Sequence, residues 1–269
     1  MATCEERNPV DRVARNYSDS AEGYAEFWSP LIRPVGCRLL EVLPWRHACR
    51  VLDVGTGTGA LVPDIRRFAP GAQVVGIDCS PGMLALAAGR GAELAAMDAM
   101  RLGLATHQFD VAVMAFVLFH MPEPSVALAE VKRVLRPGAT FGLVTWAEDP
   151  EPPAGVMWDN ELAAAGACDP TPHPERRHDV MNTPDKVTEL LESAGFAAGR
   201  VWIERIEHQW NAAALTGLRT RFGAGKRKLD TLDGRKRAAF LECMADRLPR
   251  LSVEDFVYRG AAICAVAGT

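Results

Sequence analysis

No Cys-x-x-Cys pair occurs among the seven cysteines, at positions 4, 37, 49, 79, 168, 243 and 264. Their odd number leaves at least one unpaired in a monomer, which fits a reducing compartment and argues against a structural zinc site. Long apolar runs are also missing. The longest, Val111 to Phe119, is half of the roughly 20 residues that a bilayer-spanning helix needs. The start, Met-Ala-Thr-Cys-Glu-Glu, has neither a basic flank nor an apolar core, so no secretory signal is expected. Charge of one sign does not dominate: 30 Lys and Arg against 34 Asp and Glu give a net charge of -4, which predicts neither a nucleic-acid nor a membrane partner. These absences predict a soluble cytoplasmic protein, monomer or homodimer, whose 269 residues suffice for one large domain or a core with a cap.

What is present centres on Val51-Leu-Asp-Val-Gly-Thr-Gly-Thr-Gly59. A short apolar run ends in glycines at 55, 57 and 59, and an amphipathic pattern follows from Ala60 to Phe68. That reads as a buried parallel strand turning tightly into a helix. Such a turn leaves helix-start N–H groups unpaired, and glycines let a ligand approach the backbone, so a nucleotide-like cofactor is expected. Two ligand classes fit. Gly55-x-Gly57-x-x-Ala60 satisfies the loose dinucleotide fingerprint, and Asp78 supplies the ribose-binding acid expected about 20 positions later in either class. Asp53 separates them: a carboxylate pointed into the turn repels a pyrophosphate but attracts a cationic amino-acid group. No Tyr-x-x-x-Lys or His-acid arrangement of a nicotinamide-dependent oxidoreductase accompanies the turn.

The elements then alternate. Gln73 to Asp78 reads as a second strand ending in the acid, with Ser80 as a helix cap and Pro81 at the first helical position. Ala95 to Met100 is a weaker third strand end holding Asp98. Phe109 to His120 is a fourth, too apolar to face water on either side and ending near Ala115. Ser125 to Leu135 is an amphipathic helix stopped by Pro137-Gly138, and Thr140 to Trp146 is the fifth strand. This order implies an α/β fold with a parallel, doubly wound sheet and right-handed crossovers. His120 is the first titratable side chain beyond the fourth strand and is the candidate general base. Cys79, beside Asp78, is expected to pack rather than react, because a neighbouring carboxylate raises its pKa.

Outside that core, residues 8 to 47 read as helical, with an aromatic and polar stretch from Tyr17 to Trp28. Residues 148–182 hold two proline clusters around a short helix, with His173, Arg176, Arg177 and His178; two histidines without a third placed ligand do not make a metal site. Thr183 caps a helix ending at Gly195, Arg200 to Trp210 alternates like an outer strand, and 211–251 is helical and charged. Eight basic residues between 219 and 237 predict a solvated face. Asp255 to Val266 is read as a last strand at the antiparallel edge.

The segment from Val51 to Gly59 resembles motif I of the class I S-adenosylmethionine (SAM) dependent methyltransferases. Asp78 resembles their ribose-gripping acid, Asp98 in Ala-Met-Asp-Ala-Met the acid near adenine, and Leu135-Arg-Pro-Gly138 the helix-to-strand turn of the small-molecule subgroup of ubiquinone and menaquinone biosynthesis. The match covers about residues 50 to 146. It implies a seven-stranded, mostly parallel Rossmann-like methyltransferase fold. Residues 1–47 become a helical lid and 48–269 the SAM-binding domain, with insertions at about 148–182 and 211–251. It implies methyl transfer from SAM to a small-molecule acceptor, with S-adenosylhomocysteine as product. The turn with Asp53, Gly55, Thr56, Gly57 and Gly59 takes the methionine end, and Asp78 the ribose. Asp98 with Met100 takes the adenine, and Cys79, Met83, Ala99 and Phe116 complete the cofactor wall. Tyr17, Tyr24, Phe119, His120 and Trp146 are the lid or acceptor residues. A SAM-binding protein that transfers no methyl group, whether regulatory or catalysing a rearrangement, would share every cofactor residue.

Overall fold

In the computed structural model, which describes residues 9–170 and 177–269, the strands are β1 (Arg50–Val54), β2 (Gln73–Asp78), β3 (Glu93–Ala96), β4 (Phe109–Ala115), β5 (Leu135–Glu148), β6 (Ala197–Gln209) and β7 (Val257–Gly268). They form one sheet in the order β3-β2-β1-β4-β5-β7-β6. The first five are parallel; β7 runs antiparallel to both its neighbours. The chain starts at β1, steps outward to β3 and returns to β4, so the strand order reverses between β1 and β4. Ligands of open α/β sheets bind at that crevice, beyond the carboxyl ends of the strands. The crossovers carry α4 (Val62–Phe68), α5 (Pro81–Ala87) and α6 (Pro124–Val134). Val51, Leu52, Val113 and Met114 are fully buried, as central parallel strands require.

Three boundaries differ from the sequence reading. The last strand is not the edge: β7 lies between β5 and β6, and β6 is outermost. Composition explains this, since Gly260 to Ala265 is buried without interruption, whereas β6 alternates apolar and charged residues. Val253–Phe256, expected in part as strand, is a 3-10 turn. β3 ends at Ala96, leaving Asp98 in an isolated bridge with Arg101. Strand β5 begins at Leu135, which pairs with Phe109, and the extra residues around Gly138 form an irregularity before Thr140 pairs with Val111. The turn resembling the family motif is therefore a distortion inside a long strand.

The N-terminal segment comprises α1 (Pro9–Ser18), α2 (Ala21–Gly23), a π-helical turn Tyr24–Trp28 and α3 (Ser29–Glu41). Leu39 of α3 and Leu43 just beyond it lie against β5 at Gly142, where a Cβ would stand 3.1 Å from either leucine. After β5 come α7 (Pro153–Ala164), α8 (Pro184–Ser193), α9 (Ala212–Arg221), α10 (Gly223–Leu229) and α11 (Gly234–Arg247). Side-chain oxygens of Thr183, Asn211 and Asp233 cap α8, α9 and α11, each satisfying a helix-start N–H. Trp158 of α7 meets Phe240 of α11 edge to face at 5.0 Å, which ties these additions into the common core.

The basic stretch is not simply a solvated face. Arg219 is 11% exposed and pairs with Glu151 and Asp159; Arg227, 12% exposed, pairs with Asp169. Arg221 pairs with Glu26, and Arg237 and Lys226 share Asp230. His173 and Arg176 lie outside the described residues. Among the described residues no cluster of three metal-ligating side chains occurs, and no helix is long and apolar enough to cross a membrane.

Candidate functional site

The glycine turn after β1 is left-handed at all three glycines, with φ of +70° at Gly55, +56° at Gly57 and +69° at Gly59. At Gly55 space decides as well as conformation, because a Cβ there would lie 2.2 Å from the Val117 side chain. Two carboxylates brace the turn. Asp78 Oδ2 accepts the Gly57 N–H at 2.9 Å and its Oδ1 accepts the Ser80 N–H at 2.8 Å. Asp53 Oδ2 accepts the Thr56 hydroxyl at 2.7 Å. Asp78 thus fixes the loop and the following helix together, and Ser80 Oγ then caps α5 by accepting the Met83 N–H at 3.2 Å.

Burial dominates the electrostatics. Asp53 is 2% exposed, and desolvation lifts its pKa to about 6; the Thr56 hydroxyl acts against this and the nearby Asp78 adds to it. Burial also raises Asp78, opposed by the N–H groups of Ser80, Gly57 and Cys79. Cys79 is pushed up to about 12, first by burial and then by Asp78. It is an inert thiol, as expected from its neighbour, although burial is the larger cause.

On the opposite wall β4 is followed by Phe116, a bulky residue at φ 58°. That conformation costs about 1–3 kcal/mol and persists only where the surroundings enforce it. Here the Phe116 N–H donates to the Val144 carbonyl at 2.8 Å, and its ring lies 4.6 Å from that of Trp146.

Between these walls lies a pocket of about 790 Å³. Gly55, Gly57, Asp78, Cys79, Met83, Asp98, Ala99 and Phe116 line it, with Tyr17, Tyr24, Phe119, His120 and Trp146. Asp98 also accepts the Met100 N–H at 2.9 Å. Four expected cofactor residues are elsewhere. Asp53 and Thr56 line a smaller adjoining cavity with Ser29, Arg33 and Thr58, which shares Gly55, Phe116 and Tyr24 with the main pocket. Gly59 faces Ala87 and Arg90 in the packing of α5, and Met100 lines neither space.

The N-terminal segment roofs the pocket. Tyr17 Oη and His120 Nε2 are hydrogen-bonded at 2.9 Å, and Ser18 Oγ meets Ser80 Oγ at 2.8 Å and accepts the Gly82 N–H at 3.2 Å. Glycine at 82 permits this seating, since a Cβ would stand 2.7 Å from Ser18 Cα. Tyr24 is partly buried, and desolvation of its hydroxyl raises its pKa beyond the ordinary range. Sequence reasoning missed Val10, Val13, Ile32 and Trp28 in this roof and Arg33 behind it. Trp28 closes the aromatic stretch Tyr17–Trp28, a signal that could have placed it.

A second cavity of about 1270 Å³ adjoins the first. Tyr17, Trp28, Phe119 and Trp146 line both. Its remaining walls come from the segment after β5 and from α9, α10 and β7, and include Asp149, Glu151, Arg219, Phe222 and Tyr258. His120 lines the first cavity and not the second.

Comparison with known proteins agrees with this geometry. Residues 52–143 match the methyltransferase domain family. The chain is similar to the demethylmenaquinone methyltransferase of Thermus thermophilus, 40% identical over 114 residues that cover 40% of this chain and half of that protein. Similarity to the nocamycin O-methyltransferase of Saccharothrix syringae extends further, at 30% identity over 77% of this chain and 78% of that protein. Among solved structures, the [4+2]-cyclase SpnF shares the fold with a TM-score of 0.59 and 20% identity, covering 100% of this chain and 97% of that one.

Proposed function

The chain belongs to the class I SAM-dependent methyltransferase family, and we propose that it transfers the SAM methyl group to a small-molecule acceptor, in secondary or cofactor metabolism. The observation that carries this reading is the braced glycine turn at the sheet's reversal point, opening on a pocket that shares four wall residues with a second, larger cavity. Asp78 keeps lone pairs for the two ribose hydroxyls while holding Gly57 and Ser80, since each carboxylate oxygen accepts more than one hydrogen bond. Asp98 and Ala99 take the adenine. In the adjoining cavity Asp53 faces the ligand's ammonium, and Arg33, whose charge is shared with Asp64, faces its carboxylate.

SAM supplies a methyl group already activated on a sulfonium. The chain's task is therefore placement and exclusion of water, which can carry most of the rate. Phe116 and Trp146 form the rigid apolar wall where the two cavities meet, and residues 9–28 close over the cofactor as a lid. Tyr17 and His120 join that lid to the pocket floor. His120 then orients the lid on the cofactor side rather than acting on the acceptor. We further read the protein as cytoplasmic, monomeric or homodimeric, and without a nucleic-acid partner.

Incubating the protein with deuterated-methyl SAM and a metabolite extract, followed by mass spectrometry, tests the reading. A labelled product appearing only with active protein is the expected outcome. Tight binding of S-adenosylhomocysteine with no labelled product would instead favour a SAM-binding protein that transfers nothing.

A further inference from the structure

The second cavity carries a hydrogen-bonded tyrosine and carboxylate that the cofactor does not need. Tyr258 is 3% exposed, and its ring stands 6.3 Å from that of Trp28 and 6.4 Å from that of Trp146, the two tryptophans that line both cavities. Its hydroxyl donates to Asp149 Oδ1 at 2.7 Å. Asp149 is thereby tied through Tyr258 to the junction tryptophans, in the cavity that His120 does not line. The other acids of the cavity are already occupied: Arg219 pairs with Glu151 and Asp159, and Arg227 with Asp169. Among the described residues Asp149 pairs with no cation and its Oδ2 carries no hydrogen bond.

We propose, building on the methyl-transfer reading, that this cavity receives a ring-rich acceptor bearing an enolic or phenolic hydroxyl, and that Asp149 takes the hydroxyl proton. The rings around the junction give flat apolar surfaces for such a body, with Phe222 a further 6.1 Å from Trp28. The carboxylate selects the nucleophile. An aliphatic amine must be neutral to attack, and a neighbouring carboxylate favours its charged, unreactive form; an aromatic amine is neutral, but its N–H is too weak an acid to give its proton to a carboxylate. An aliphatic alcohol is too weak an acid for a carboxylate base to assist, because proton transfer needs donor and acceptor of more closely matched acidity. An enol or phenol meets both conditions. In the step, a hydroxyl oxygen lone pair forms the new O–C bond. The C–S bond breaks with its pair retained on sulfur as a neutral thioether, and the hydroxyl proton passes to Asp149 Oδ2. Tyr258 is the positioning residue that presents this oxygen.

Calorimetric titration of the protein saturated with S-adenosylhomocysteine tests this with three probes of one shape: 2-naphthol, 2-naphthylamine and 2-methoxynaphthalene. The wild type should bind 2-naphthol about 10-fold more tightly than the other two, the size of one charge-assisted hydrogen bond at an open site. Asp149→Asn should abolish that preference while leaving S-adenosylhomocysteine and 2-methoxynaphthalene affinities within about two-fold. Tyr258→Phe should retain part of it. A merely structural role for Asp149 would weaken all three probes alike and overturn the proposal. Equal binding of the amine, an undiminished preference in Asp149→Asn, or no binding of any naphthalene beside bound S-adenosylhomocysteine would also overturn it. Failure of the wild type to bind S-adenosylhomocysteine would overturn the methyl-transfer reading itself, and this inference with it.

Discussion

The two cavities that meet at Trp28 and Trp146 are built in opposite ways. The first takes most of its polar atoms from strand ends and one backbone turn, so short runs of sequence do the work, Asp53 to Gly57, Asp78 to Cys79 and Asp98 to Ala99, with Tyr17, Tyr24 and His120 added around them. The second is assembled from side chains scattered over 17 to 258, held by ion pairs between distant elements such as Arg219 with Glu151 and Asp159. Backbone geometry accommodates one fixed chemistry, a nucleoside with an amino-acid tail. Side chains on separate helices can change singly without disturbing the sheet, which suits the part that meets a variable acceptor.

If that division is right, damage to one cavity should spare the other. The largest effect should follow Asp78→Ala, which removes the ribose acceptor and frees the N–H groups of Gly57 and Ser80 together. S-adenosylhomocysteine binding, followed by calorimetry, should weaken about 100- to 1,000-fold. Unchanged affinity would mean that Asp78 serves only the turn. Next comes Arg219→Met in the second cavity, which leaves Glu151 and Asp159 facing each other without their shared cation. Urea denaturation should show a loss of about 1–3 kcal/mol, with S-adenosylhomocysteine affinity unaltered. A parallel loss of cofactor affinity would break the comparison.

A pH series sharpens it. Burial holds Asp53 at about 6, above its ordinary 3.8. A carboxylate raised on folding favours the folded state fully below its unfolded pKa, and that contribution is lost as pH rises through about 6. Ligand-free stability should therefore fall between about pH 4 and pH 7 relative to Asp53→Asn. SAM affinity should move the other way, because the ligand ammonium favours ionised Asp53. It should tighten by up to about 10-fold from pH 5 to pH 7, and Asp53→Asn should flatten both curves. The smallest effect should come from His120→Gln. Losing the tie to Tyr17 loosens the lid and should weaken S-adenosylhomocysteine binding only a few-fold, about 1 kcal/mol. A collapse of turnover with intact binding would return His120 to the acceptor side.

How much of this was legible follows from the same contrast. Strand β2 and the Ser80 cap with Pro81 were readable to the residue, because capping and burial are local. The glycine turn was readable because left-handed backbone leaves few choices of residue. The position of β7 was not, since strand order depends on pairing partners rather than on the strand's own pattern, although its unbroken burial from Gly260 to Ala265 was a usable hint of a central place. The second cavity was illegible. Nothing in Asp149, Arg219 or Tyr258 by itself marks a site, and their meeting is a product of tertiary packing across more than a hundred residues. The basic stretch misled for that reason: Arg219, Arg221 and Arg227 have acidic partners from distant elements that sequence spacing does not reveal.

The most direct test of the central claim is a crystal structure of the protein with S-adenosylhomocysteine. The account predicts ribose hydroxyls on Asp78, adenine beside Asp98, the thioether facing Phe116 and Trp146, and the second cavity left open for an acceptor. Ligand density in the second cavity, or a ribose held away from Asp78, would contradict it.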